Sequence, residues 1–166
     1  MSEKSQFENQ DKRVEYDNII FLINTKENTA GVIGIKLNIQ DIFIPTSIIH
    51  ESKEYYVTSI LEDAFKDSKI KSVQFSSDSK LEKIDKGAFF KSSIESIRIP
   101  SSVTSIGEGA FNLCGQLEVI EIPDDSELQT IGGLAFCCSS IKSIQIPSKL
   151  IDLEEGWCFS TLCLNE

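Results

Sequence analysis

The chain has 166 residues, of which 40% are hydrophobic and 25% are charged, and its formal net charge is −10. This length suits one domain with a sizeable core, and the composition is that of a globular chain rather than a disordered or fibrous one. The negative charge argues against nucleic acid or an anionic membrane as the main partner, and the longest apolar run, at 19–23, is too short to span a bilayer.

The amino-terminal part of the chain predicts a leader followed by a β cap. Residues 1–15 are polar and charged without periodicity, which predicts a disordered leader, and they contain no apolar segment typical of a signal peptide. Apolar segments at 19–23 and 30–35, joined by a polar link, predict a hairpin with a longer loop. Residues 16–56 are therefore expected to form an N-terminal β cap and a first strand. A separate small domain is the disfavoured alternative, because so short a segment seldom folds alone.

The remainder, residues 57–166, contains an internal repeat. Four segments align in register and a fifth keeps the pattern more loosely. In chain order they are VTSILEDAF from Val57, LEKIDKGAF from Leu81, VTSIGEGAF from Val103, LQTIGGLAF from Leu128 and LIDLEEGWC from Leu150. Their starts are 24, 22, 25 and 22 residues apart. This spacing indicates stacked repeat units, and we expect four full units and a degenerate or truncated fifth.

Each full unit continues with a second apolar block that predicts a β-strand. The blocks are IKSVQF at 70–75, IESIRIP at 94–100, LEVIEIP at 117–123 and IKSIQIP at 141–147, preceded by an extra DIFIP from Asp41. Alternating apolar residues match a strand with one buried face. The 24 isoleucines of the chain also favour strands over helices.

The Ala-Phe pair of each unit predicts a tight turn or a short helical stretch. Its phenylalanines are expected to enter the core at the same depth in each unit; they are Phe65, Phe89, Phe111 and Phe136. A unit of about 23 residues cannot bury its apolar face alone. We therefore expect the units to stack into a solenoid, with a parallel ladder of strands ~4.8 Å apart.

The combined pattern, L/V-x-x-I-x-x-x-A-F followed by L/I-x-x-I-x-I-P, resembles the BspA-like leucine-rich repeat family of bacterial and protozoan surface antigens. The resemblance extends from Ile42 to about Leu153, and VTSIGEGAFNLCGQLEVIEIP at 103–123 is the most similar unit. It implies a leucine-rich-repeat solenoid that is not an enzyme. It also implies display on the cell surface and adhesion to host matrix proteins or to other microbes.

Two positions depart from that family. Cysteine is frequent three residues after the phenylalanine, where this chain has Ser68, Ser92, Cys114 and Ser139. In the fifth unit, Trp157 and Cys158 stand where alanine and phenylalanine belong. The carboxyl cap of the solenoid is therefore in doubt.

Few residues are suited to catalysis or metal binding. His50, the only histidine, is favoured as a surface histidine over a general base. Cys137 and Cys138 have the wrong spacing for a zinc site, because neighbouring side chains of an extended chain point to opposite sides. The acidic loops at 76–79 and 124–127 are favoured as solvated turns over a calcium site. We expect a protein without catalytic activity, metal or cofactor.

Stacked strands would align their outward residues into files on an exposed face. We predict a partner-binding file, called the outward file below, formed by Phe43, Gln74, Arg98, Glu121 and Gln145. A second file, one pleat earlier, consists of Asp41, Ser72, Ser96, Val119 and Ser143. Repeat proteins commonly bind partners on such faces, although water-facing strands would be polar in any case. Arg98 and Glu121 are expected to pair across the ladder.

Two functions remain open from the sequence. The first is an adhesion or protein-binding module at the cell surface, whose partner is a matrix protein or a microbial surface protein. The second is an intracellular leucine-rich-repeat scaffold that binds a cytosolic regulatory protein. Three features of the sequence favour the second. It predicts no signal peptide or membrane-spanning segment, it has no N-x-S/T site, and its five cysteines cannot all pair with one another.

The carboxyl-terminal part is expected to be acidic and prone to association. Residues 57–102 have a net charge of +1 and residues 103–166 a net charge of −8. Apolar side chains in the last unit predict an exposed patch and an open sheet edge; they include Trp157, Phe159 and Leu162. Self-association through this edge is the expected consequence.

Overall fold

A computed structural model describes residues 11–36 and 39–158, and these form a β-solenoid. Each circuit of the chain is called a coil below; the coils that begin with the strands at 53–60, 83–84 and 105–106 contribute one strand to each of two sheets, and the first four coils contain an Ala-Phe turn. No helix occurs among the described residues, so the Ala-Phe segments adopt the turn alternative. The predicted solenoid with its parallel ladder is thus confirmed.

The amino-terminal strands are β1 (Asp11–Tyr16), β2 (Ile19–Asn24) and β3 (Thr29–Ile35). The hairpin expected from the two apolar segments is formed by the antiparallel pair β2 and β3. The Asn24 side chain ends β2 by accepting hydrogen bonds from the amides of Lys26 and Glu27, at 3.0 and 3.1 Å. The apolar residues of the hairpin are buried in the same core as those of the repeats.

Part of the segment expected to be a disordered leader forms a strand. Residues 11–15 belong to β1, which pairs with β2 along its full length. The connecting residues Asp17 and Asn18 both have positive φ, which is typical of the tight turn that matches the twist of a hairpin. Val14 is buried, so one apolar side chain and a paired neighbour suffice to order this polar segment. Residues 1–10 lie outside the described part of the chain.

The first sheet carries the strand of each coil that precedes the Ala-Phe turn. These strands are β6 (Lys53–Ile60), β8 (Lys83–Ile84), β10 (Ser105–Ile106), β12 (Thr130–Ile131) and β13 (Asp152–Leu153), paired in parallel in that order. The strand β5 (Ser47–His50) pairs antiparallel with β6. The cap joins the same sheet, because β3 pairs in parallel with β6. The cap thus extends the sheet formed by the repeats, and the division into a cap at 16–56 and repeats at 57–166 stays a prediction.

The second sheet carries the strands of the second apolar block. They are β4 (Asp41–Ile44), β7 (Ser72–Phe75), β9 (Ser96–Arg98) and β11 (Val119–Glu121), parallel and adjacent in chain order. Their inward residues meet the inward residues of the first sheet in one core.

The fourth block, at 141–147, departs from the prediction because it forms no strand. It runs beside β11, where the amide of Ser140 donates to the carbonyl of Leu117 at 3.1 Å. Ile146, however, is 45% exposed, whereas the equivalent Ile99 and Ile122 are buried. A strand at the edge of a sheet has only one hydrogen-bonded neighbour. Because Ile146 is not buried in the core, the block lacks the packing that would stabilise its pairing with β11.

The Ala-Phe turns form a third ladder between coils. The amides of Phe65, Phe89, Phe111 and Phe136 each donate to a carbonyl of the next coil, all at 2.7 Å. Ring centroids of consecutive phenylalanines are 5.0, 4.9 and 5.4 Å apart, and Trp157 packs edge-on against Phe136 at 6.1 Å. All four phenylalanines are buried, which confirms the predicted column.

Candidate partner-binding face

Four of the five predicted site residues lie side by side on the second sheet. Phe43 is the register partner of Gln74, and Arg98 is the register partner of Glu121. All four side chains are exposed, and Phe43 is 51% exposed despite being aromatic. The residues between them point into the core; they are Ile42, Val73, Ile97 and Ile120. The structure therefore brings these four positions of the outward file together.

Gln145, the fifth member, is exposed but lies on the block that forms no strand. Its side-chain amide donates to the carboxylate of Asp124, with the Nε2–Oδ1 distance at 2.8 Å. Asp124 belongs to the loop after β11. Gln145 thus contacts the loop of the preceding coil and does not extend the ladder of the file.

The centre of the face is formed by an ion pair. Arg98 Nη1 donates to Glu121 Oε2 at 2.8 Å, as expected from the sequence. Their side chains are 68% and 56% exposed, so water screens the pair and it contributes ~0–1 kcal/mol. Both side chains can exchange this contact for one with a partner at low cost.

The second file adds polar and apolar contacts beside the first. The hydroxyl of Ser72 donates to the carboxylate of Asp41 at 2.6 Å, at the amino-terminal end of the face. Val119 is exposed at the other end. A further ion pair, Lys71 with Glu95, lies at 2.9 Å along the same edge of the strands. The face thus combines an exposed aromatic ring, an exposed aliphatic side chain and two ion pairs.

A groove on the turn side was not foreseen from the sequence. It has a volume of about 240 Å³, and its lining includes Lys66, Lys86, Phe90, Glu108 and Asn112. Lys86 Nζ donates to Glu108 at 2.6 Å, and this contact raises the pKa of Lys86. These residues occupy the positions around the Ala-Phe pairs that vary from one repeat to the next, and this variation was the only feature of the sequence that could have pointed to the groove.

His50 and the acidic loop at 76–79, which were considered for catalysis and calcium binding, contact neighbouring side chains. His50 Nε2 lies 3.4 Å from Glu51, whose carboxylate also pairs with Lys12. Asp78 accepts hydrogen bonds from the hydroxyls of Ser76 and Thr46, which lower its pKa. Among residues 11–36 and 39–158, no group of three His, Cys, Asp or Glu side chains has the arrangement of a metal site. No helix in this part of the chain is long and apolar enough to cross a membrane.

Cys114 occupies the position, three residues after the phenylalanine, where cysteine was expected from the family resemblance. Its thiol donates to the carbonyl of Phe89 at 3.0 Å and lies 3.5 Å from the hydroxyl of Ser92, which holds the same position one coil earlier. Burial raises the pKa of Cys114, which is the neutral thiol of a core residue. The small polar side chains at this position thus line the inside of the turns.

The repeated strands, turns and phenylalanine column define a leucine-rich-repeat solenoid, a class of scaffold that generally mediates protein–protein interaction. The chain belongs to the family described as the BspA type leucine-rich repeat region, whose model matches residues 36–165 in six copies. Six copies exceed the expected four full units and a fifth. By sequence, no curated protein matches the chain.

Several solved structures share the fold. The pneumococcal vaccine antigen PcpA is 22% identical with a TM-score of 0.72, and the match covers 90% of this chain and 48% of the antigen. A leucine-rich repeat protein from Bacteroides capillosus is 25% identical with a TM-score of 0.59, covering 91% of this chain and 94% of that protein. The leucine-rich repeat protein of T. pallidum is 20% identical with a TM-score of 0.74, covering 87% and 65%. The chain spans about half the length of the pneumococcal antigen.

Proposed function

We propose that this chain is a protein-binding module of the surface-antigen type, which attaches to matrix proteins or to proteins on other microbes. Its binding surface is the outward file on the second sheet. The observation that carries this proposal is the register of Phe43, Gln74, Arg98 and Glu121, which are exposed on four adjacent strands. The structurally similar PcpA is a pneumococcal vaccine antigen, which supports surface display.

Within the file, Phe43 and Arg98 are the expected anchors. Aromatic and arginine side chains dominate the energetics of protein interfaces, because they bury a large area around a small number of rotatable bonds or donate several hydrogen bonds. The exposed carboxylate of Glu121 holds Arg98 in place at little cost in stability. A partner that supplies a carboxylate to Arg98 and a cation to Glu121 would therefore bind without leaving a buried unpaired charge.

The test compares Arg98→Ala/Glu121→Ala and Phe43→Ala with the unchanged protein. Urea unfolding should show a loss of less than ~1 kcal/mol for the double variant, because the pair is exposed. Retention on an immobilised extracellular-matrix extract, measured by surface plasmon resonance, should weaken about tenfold, since losing one anchor costs more than about 1 kcal/mol.

The matched control is Lys71→Ala/Glu95→Ala, which removes an ion pair of similar length beside the file. This variant should retain binding. Ile97→Asp is the unfolding control, because it places an unpaired charge in the core. Unchanged binding by both Phe43→Ala and Arg98→Ala/Glu121→Ala would move the partner site to the turns or to the first sheet.

A second candidate is an intracellular scaffold that binds a regulatory protein. The observation that favours it is the set of free thiols at Cys114, Cys137 and Cys138, since secreted domains usually pair their cysteines. Surface biotinylation of intact cells that express the chain distinguishes the two candidates. Labelling of the chain before lysis supports surface display, and labelling only after lysis supports the intracellular scaffold.

A further inference from the structure

Two adjacent cysteines converge in the turn that follows Phe136. The sulfur atoms of Cys137 and Cys138 are 3.4 Å apart. In an extended chain, neighbouring side chains point to opposite sides, and the sequence alone therefore predicted that these thiols would separate. That expectation is wrong here, because the chain is not extended at this position: Cys138 has a left-handed backbone with φ at 56°.

The repeat imposes this geometry, independently of the cysteines. The equivalent residues of the other coils have nearly the same backbone, with φ between 55° and 60°; they are Asp67, Lys91 and Leu113. Backbone hydrogen bonds hold the turn on both sides. The amide of Cys137 donates to Leu134 at 3.1 Å, and its carbonyl accepts from Leu113 at 2.9 Å. The two thiols are thus preorganised by the solenoid.

The two thiols differ in accessibility. Cys138 is exposed, whereas Cys137 is 8% exposed. Burial, together with the neighbouring thiol of Cys138, raises the pKa of Cys137. A reagent in solution therefore meets Cys138 first, and Cys137 lies behind it within reach of the same sulfur. This arrangement of an exposed attacking thiol and a shielded resolving thiol is typical of redox-sensitive cysteine pairs.

We propose that Cys137 and Cys138 form a reversible dithiol site that is oxidised to a vicinal disulfide by small disulfides. The thiolate of Cys138 attacks one sulfur of the oxidant, and the first half of the oxidant leaves as a thiolate that takes up a proton. Cys137 then loses its proton and attacks the Cys138 sulfur, which releases the second half as a thiol. Two protein thiols are oxidised to one disulfide, and one small disulfide is reduced to two thiols.

Geometry makes this disulfide labile. The Cα atoms of adjacent residues are about 3.8 Å apart across a trans peptide. Ordinary disulfides join Cα atoms about 4.4–6.8 Å apart, and deviations store strain that makes the bond easier to reduce. The site should therefore exchange with its surroundings, rather than act as a permanent crosslink of the scaffold.

The test treats the reduced, folded protein with oxidised glutathione and follows its mass. The unchanged protein should lose two hydrogen atoms without a lasting glutathione adduct, and peptide mapping should assign the loss to the single peptide that contains both cysteines. Cys137→Ser should instead keep glutathione on Cys138, with an adduct lifetime longer by about tenfold or more, because the intramolecular attack is missing.

Cys114→Ser is the matched control, because Cys114 is a buried thiol of the equivalent turn in the preceding coil and lies outside the pair. It should react like the unchanged protein. Three results would overturn the proposal: a lasting adduct on Cys138 in the unchanged protein, a disulfide between Cys138 and Cys158, or no reaction. Circular dichroism of each variant before oxidation establishes that all of them are folded.

Discussion

Phe111 occupies the middle of the phenylalanine column and is fully buried between Phe89 and Phe136. Its ring is stacked on both neighbours, with interplanar angles of 6° and 9°. A cavity at this position would therefore remove contacts from three coils at once.

Phe111→Ala should lower the free energy of unfolding by ~3–5 kcal/mol, because it combines lost apolar burial with a cavity between rigid neighbours. Urea unfolding followed by circular dichroism measures the loss. Phe90→Ala is the control, since Phe90 is adjacent to a column residue in sequence but only partly buried on the turn. Equal losses for the two variants would contradict a stacked column.

The buried thiol of Cys114 predicts a specific pH dependence. Its pKa is raised by burial above the ordinary value of 9.0, so the unfolded chain releases this proton at lower pH than the folded chain. Between the two pKa values the folded state binds more protons, and the free energy of unfolding falls as pH rises. Below pH 8 both states keep the thiol neutral, and the contribution is constant.

Cys114→Ser removes this titration and keeps a small polar side chain, as in the equivalent Ser92. The stability difference between the unchanged protein and Cys114→Ser should be constant up to about pH 8. Above pH 9 it should shift against the unchanged protein, by at most about 1.4 kcal/mol per pH unit. Denaturant titrations between pH 7 and 10.5 measure both curves. Parallel curves throughout would mean that the thiol is accessible to water in the folded state.

At the level of single residues, the sequence predicted the column but not the backbone of the turns. The recurring Ala-Phe pair is visible because burial selects the same side chains in each coil. The left-handed residue before the alanine is glycine in two coils, at Gly87 and Gly109, and aspartate in one, at Asp63, while Gly156 holds the same place before Trp157. Leu134 has the same positive φ, and no sequence rule assigns that conformation to leucine, because packing of the neighbouring coils imposes it.

Between coils, close backbone contacts are made possible by particular glycines. A Cβ atom at Gly107 would lie 2.6 Å from the amide nitrogen of Lys86, and one at Gly132 would lie 2.5 Å from the amide nitrogen of Glu108. These contacts are too short for any side chain. The two glycines thus set the spacing of successive coils where the first sheet meets the Ala-Phe turn.

Gly107→Ala should therefore force two coils apart and lower the free energy of unfolding by about 1–3 kcal/mol. Gly115→Ala is the control, because a Cβ atom there meets no atom within 4 Å. Its effect should stay within about 0.5 kcal/mol. The midpoint of thermal unfolding for the two variants provides the comparison, and similar midpoints would show that the coils separate without cost.

At the level of elements, predictions succeeded where apolar alternation and pairing agreed. The strands β7, β9 and β11 each have a buried apolar side chain and pair with a neighbouring strand of the second sheet. The block at 141–147 has the same alternation but an exposed Ile146, and it forms no strand. β1 shows the converse, since its sequence is polar and pairing with β2 orders it. Pairing partners are a property of the whole fold and are not visible within one segment.

For the whole molecule, a solenoid distributes its stability along one axis. Each coil contacts only its neighbours, so stability is close to a sum over coils and the contacts between them. The expected self-association through the carboxyl-terminal edge stays a prediction. Of the residues named for it, Trp157 is partly buried against the phenylalanine column, and Phe159 and Leu162 lie outside the described part of the chain. Ile151 and Leu153, which were not named for it, are exposed in the last described coil.

Protection from hydrogen exchange should accordingly fall from the central coils toward 141–147. The strand β9 is paired on both sides, by β7 and β11, and the amide of Ile99 donates to the carbonyl of Glu121 at 2.8 Å. The backbone amides of 141–146 donate no backbone hydrogen bond to another residue of the described chain. They are therefore expected to exchange through local opening that leaves the column intact.

Amide exchange followed by mass spectrometry should show the peptide covering 141–147 exchanging at least about tenfold faster than the equivalent peptide covering 94–100. The two segments, IKSIQIP and IESIRIP, differ at two positions, so their intrinsic exchange rates are closely matched. Ile99 is buried where Ile146 is exposed, which gives the comparison a structural cause. Equal protection of the two peptides at low protein concentration would mean that 141–147 pairs with β11 in solution. Equal protection that appears only at high concentration would instead point to self-association at this edge, because a second copy would then cover it.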